Sequence, residues 1–128
     1  MRISALLAGL AVDFAGAVVV TIALIFLFRR PFWSDITILT RYLSLVVAIY
    51  WLGMLFILLG ARVTARLAKP HCILNTTLFG IISTIPCFFF PATYPFWYKL
   101  LCIFSFVPVS AATGYSVATR HRLANRST

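Results

Sequence analysis

A single carboxylate inside an uncharged apolar run is the residue of this chain with the most chemistry to offer. From residue 3 to residue 28 the only charged side chain is Asp13. An aspartate at the centre of a membrane helix costs about 3 kcal/mol on insertion scales, so it faces protein rather than lipid. Gly9 and Gly16, at i−4 and i+3, share its helical face. Three groups elsewhere offer it partners. Helical side chains lean towards their own N-terminus, so Arg62 on an antiparallel second helix leans towards Asp13. Tyr50 and Asn75 carry hydrogen-bond donors instead. Two chemistries are open: an acid paired within the protein that fixes helix packing, or a carboxyl that takes up and releases protons.

The other reactive residue types read more blandly. Cys72, Cys87 and Cys102 all lie in apolar runs, form no CxxC, and are odd in number. They read as small buried hydrophobes, with Cys87 and Cys102 at similar depth. His71 and His121 fall at the ends of apolar runs with no ligand set around them, so they read as solvated or lipid-facing. Tyr50 and Trp51 sit mid-helix and serve packing. No nucleophile–base pair, paired carboxylates, phosphate loop or metal cluster assembles, which argues against an enzyme and implies no cofactor and no metal.

Composition says where these residues work. Of 128 residues, 62% are hydrophobic and 10% charged, and the mean hydropathy is +1.03. A soluble domain carries about 25% charged residues, and a chain this short has no core able to absorb so much apolar surface. A soluble globular protein and a disordered chain are both excluded. The net charge is +9, from eleven Lys and Arg against Asp13 and Asp35. These bases flank apolar runs, which is how membrane helices are anchored, and they form no soluble basic face for nucleic acid.

The expected architecture is all-α: a polytopic membrane protein whose 128 residues form one domain of four transmembrane helices in an antiparallel bundle. The spans are expected at about 3–28, 38–69, 72–90 and 96–119, with a polar, frayed tail over 120–128. Residues 62–69 form a basic extension of the second helix, ended by Pro70. Ser34 is a candidate N-cap. The first apolar run continues past the cleavage-like Ala15-Gly16-Ala17, so it reads as an uncleaved helix. Arg2, Arg62, Arg66, Lys69, Arg120, Arg122 and Arg126 lie at one end, against Arg29, Arg30, Arg41 and Lys99 at the other. The richer end reads as cytoplasmic, with both termini inside. The opposite end carries an aromatic belt of Phe32, Trp33, Tyr94, Phe96, Trp97 and Tyr98. The sequons at Asn75 and Asn125 then lie in or inside the membrane, where glycosylation does not reach.

Small residues gather in the cytoplasmic half of every span, with Gly9, Gly16, Gly60, Gly80 and Gly114 as candidate helix-packing positions. Bulky residues fill the opposite half, which suggests helices pinched at one end and splayed at the other. Pro86 and Pro108 are expected to bend the third and fourth helices. Gly60-x-x-Val63-x-x-Arg66 and Gly114-x-x-Val117-x-x-Arg120 are alike. The likeness fits two duplicated hairpins, and it fits equally the shared demands of leaving a membrane.

Residues 58–69 (LLGARVTARLAK), 8–16 (AGLAVDFAG) and 95–99 (PFWYK) resemble segments of small four-helix bacterial inner-membrane proteins. That resemblance implies a bacterial inner membrane and carries no activity. Ala11-x-Asp13-x-x-Gly16 is loosely similar to the first helix of small multidrug resistance transporters. Those also have four short helices and an acid in the first. This chain departs in having aspartate for glutamate, a longer first loop and a proline in the third helix. The leading expectation is a small membrane structural or interaction protein, or an accessory subunit. Its partners would be the lipid bilayer and itself or another membrane protein, without nucleic acid. The alternative is an oligomeric ion- or proton-coupled transporter using Asp13.

Overall fold

In lipid no water is available to backbone N–H and C=O groups, so an apolar chain satisfies them within helices. A computed structural model describes residues 2–28, 43–89 and 96–126 and shows this solution. The described residues form four helices: α1 (Ile3–Phe28), α2 (Leu43–Leu67), α3 (Cys72–Phe89) and α4 (Phe96–Arg126). All four are long and apolar enough to cross a membrane. Residues 38–42, Ser34, Phe32, Trp33 and Tyr94, on which several expectations fall, lie outside the described residues.

Two helix ends differ from expectation. α2 stops at Leu67 rather than at residue 69. Pro70 has no N–H and disfavours helical geometry at Lys69, so the chain closes earlier. The Ala68 N–H still donates to the Thr64 carbonyl at 2.9 Å, and the His71 N–H closes the turn onto the Ala68 carbonyl at 2.7 Å. At the other end of the chain the expected frayed tail is helical through Arg126. Residues 120–126 contain neither Gly nor Pro and are rich in Arg, Leu and Ala, so nothing ends the helix there. α3 and α4 continue through Pro86 and Pro108 without a break.

The helices pack most extensively in two pairs, α1 with α2 and α3 with α4. Glycine contacts give the register. Gly9 meets Gly60 and Thr64, and Gly16 meets Phe56, so α1 and α2 run in opposite senses. Gly80 meets Phe106 and Ser110, and Gly114 meets Cys72, Ile73 and Thr76, which gives α3 and α4 the same relation. Phe79 joins the pairs. Its ring is fully buried, and it occupies a notch that exists because Gly9 and Gly60 lack side chains. A Cβ on Gly60 would stand 2.6 Å from Phe79 Cζ and 2.9 Å from the Gly9 carbonyl oxygen.

Leu6, Met54, Ile57, Ala61, Tyr98, Cys102 and Phe106 complete the core around Phe79. Tyr98 departs from the expected aromatic belt. It is buried, whereas Phe96 and Trp97 beside it are exposed. Successive residues on a helix point about 100° apart, so three adjacent aromatics cannot share one face, and here Tyr98 is the one turned to the bundle. Among the described side chains of α1, Ala5, Leu6, Gly9 and Gly16 are buried and none after Gly16 is.

Candidate functional site

Asp13 is half-buried on α1, between the crossings made by Gly9 and Gly16. Its carboxyl faces the side chain of Ser83 on α3. The Ser83 hydroxyl is buried and has no partner besides that carboxyl. Ser83 is legible in the sequence as a small packing residue. That it faces the acid depends on α1 and α3 lying side by side, which spacing alone does not convey.

The expected Asp13–Arg62 pair does not form. Arg62 is exposed, whereas Gly60, Ala61, Thr64, Ala65 and Ala68 make the buried stripe of α2. The side chain of Arg62 leaves the helix on a face other than that buried stripe. Tyr50 and Asn75 do not serve the acid either. The Tyr50 hydroxyl donates to Ser105 Oγ at 2.6 Å, and Ser105 donates onward to the Leu101 carbonyl at 2.6 Å. Tyr50 also stacks near-parallel on Phe106 and meets Tyr98 edge-on, with ring centroids 6.4 and 6.3 Å away. The Asn75 amide donates to the Arg2 carbonyl at 3.4 Å, leaving its Oδ1 without a partner.

One turn beyond Ser83 on α3, the Cys87 thiol meets the thiol of Cys102 on α4. Both are reduced. Tyr98, one turn before Cys102, interacts with that thiol. Asp13, Ser83, Cys87, Cys102 and Tyr98 therefore form a polar file from the middle of α1 towards the start of α4. The sequence places the two cysteines at similar depth, and the register of α3 on α4 brings them into contact.

The five candidate packing glycines all sit at crossings. A Cβ on Gly9 would collide with Thr64 Oγ1, one on Gly16 with the Phe56 ring, one on Gly80 with Ser110 Oγ and one on Gly114 with Thr76 Oγ1. Gly53 is different, with nothing within 4 Å of its Cβ position. Around these crossings most hydroxyls turn back on their own helix. Thr76, Thr84, Ser110 and Thr113 donate to the carbonyls of Cys72, Ile81, Val107 and Val109. This keeps buried polar groups satisfied without water. Thr64 Oγ1, packed on Gly9, is buried without a partner.

Among the described residues, no three His, Cys, Asp or Glu side chains converge as metal ligands. Compared with protein-family models, with curated proteins and with solved structures, the chain matches none.

Proposed function

We propose that this chain is a small integral membrane protein that acts through helix packing, as a structural or interaction partner or an accessory subunit, without catalysis of its own. One observation carries the reading. The buried hydroxyls of α3 and α4 are mostly spent on carbonyls of their own helices, so the interior is built for close approach rather than for a lumen. The exposed second half of α1, with Val18, Val19, Ile22, Ile25 and Phe26 outward, supplies apolar surface for lipid or another helix. The reading includes a bacterial inner membrane, an antiparallel bundle and cytoplasmic termini, on the strength of the charge asymmetry and the resemblances of the helix ends. A photo-crosslinker placed at Val19 or Phe26 in native membranes tests it. Discrete protein adducts at those positions, and none at equally exposed Phe104, support a packing partner. Lipid adducts alone at all three count against one.

A second reading is favoured by Asp13 itself. It has no cationic partner at Arg62 and it faces the buried hydroxyl of Ser83. A proton-coupled carrier would need such an acid. Proteoliposomes carrying the purified protein separate the readings. Proton flux that Asp13→Asn abolishes favours the carrier, and flux no greater than in empty vesicles favours packing alone.

A further inference from the structure

The turn between α2 and α3 and the last turns of α4 enclose an open cleft that no expectation from sequence anticipates. It is lined by Lys69, His71, His121 and Arg122 around the first turn of α3. The cleft exists because α4 stays helical beyond residue 119, which carries His121 and Arg122 back across the α2–α3 turn. Among the described residues no acid lines it, so the cations there meet no carboxylate in that part of its wall. The first turn of α3, residues 72–74, forms part of the same wall, and the N-terminal end of a helix favours an anion.

The depth of the cleft identifies the kind of anion. Residues 68–71 link the candidate spans Val47–Leu67 and Cys72–Phe89, so the cleft opens at the level where a bilayer places its headgroups. Its wall is also amphipathic. Ile73 and Leu74, both exposed, continue from the basic rim down α3. A soluble anion has no use for that apolar flank, whereas the glycerol backbone and first acyl carbons of a phospholipid do. We propose that this cleft is a binding site for the phosphodiester headgroup of an anionic phospholipid. Lys69 and Arg122 hold the phosphate oxygens, the α3 N-terminus faces them, and Ile73 and Leu74 support the proximal chains.

The test uses the full-length protein in a nonionic detergent, where a membrane's general surface potential is absent. Phosphatidylglycerol is titrated and bound lipid is counted by native mass spectrometry. One saturable phosphatidylglycerol site is expected, with little retention of phosphatidylcholine. Removing the two phosphate-holding charges with Lys69→Gln and Arg122→Gln together should weaken it by more than about tenfold, since hydrogen bonds to charged groups are the strong ones. The charge-matched pair Arg62→Gln and Arg66→Gln, exposed on α2 outside the cleft, should leave it unchanged. Helicity and elution volume report that all variants fold. Equal losses in the two double variants, or equal retention of phosphatidylcholine, would overturn the site. Inorganic phosphate that competes as well as the lipid would overturn the assignment to a phospholipid.

Discussion

At the scale of single residues, the cost of Asp13 is legible from composition, and its partner is not. Any aspartate in an apolar run must face protein, but which helix it faces depends on how α1 lies against α3. Arg62 has the right charge but lies on an exposed face of α2, so electrostatic complementarity read from sequence picks the wrong residue. The consequence is measurable. Asp13→Asn and Arg62→Ala should combine additively in detergent unfolding, within about 0.5 kcal/mol, because the side chains share no contact. Coupling beyond about 1 kcal/mol would restore the ion pair. Ser83→Ala should cost about 1 kcal/mol in the same unfolding measurement, since it removes the hydroxyl that faces the half-buried carboxyl. Cys87 and Cys102 offer a direct check on register. Copper-phenanthroline oxidation should link them within one chain, leaving buried Cys72 alkylatable once the protein is denatured, and Cys87→Ser or Cys102→Ser should abolish the link. Failure of the wild type to cross-link would show that α3 sits on α4 in another register.

At the scale of the helix, the apolar pattern marks all four spans, and it fails at the ends where another rule takes over. Pro70 acts one turn ahead of itself and shortens α2. The polar residues after Thr119 look like a tail because they are charged, yet charge outside the membrane does not oppose helix. Glycine positions carry the clearest contrast between elements. Gly60→Leu and Gly114→Leu should each destabilise the bundle, because a branched side chain would part the α1–α2 or α3–α4 crossing. By analogy with buried overpacking, about 1–3 kcal/mol is expected in each case. Gly53→Ala should instead stabilise by about 0.5–1 kcal/mol, as open space surrounds its Cβ position and alanine favours helix. Equal effects at Gly53 and Gly60 in a detergent melt would remove the distinction between a crossing glycine and an open one.

For the molecule as a whole, membrane residence follows from composition alone, while the pairing of helices does not. Four apolar runs of similar character admit several arrangements, and the one adopted is fixed by small residues meeting around Phe79. The likeness of the α2 and α4 ends also looks different in three dimensions. Gly60 opens space for Phe79 and Gly9, whereas Gly114 lies against Cys72, Ile73 and Thr76. The same local pattern therefore serves two unlike crossings, which the shared demands of leaving a membrane would produce without duplication. Charge asymmetry predicts that a reporter fused after residue 128 is active only inside the cell, and activity outside would reverse the orientation.

The unequal lengths of α3 and α4 have a consequence for the host bilayer. At about 1.5 Å per residue, the 18 residues of α3 reach about 27 Å, while the 31 of α4 reach about 46 Å. Because the two are bound along a common interface, α4 has length to spare and α3 has none. A thicker membrane therefore strains the short partner first: lipid must thin around α3, at a fraction of a kcal/mol for each ångström of mismatch. Reconstituted in lipids of graded chain length, the protein should melt highest in the thinner bilayers and, where two thicknesses coexist, concentrate in the thinner domain. The shortest helix, rather than the most hydrophobic one, would then set where in a membrane this protein resides.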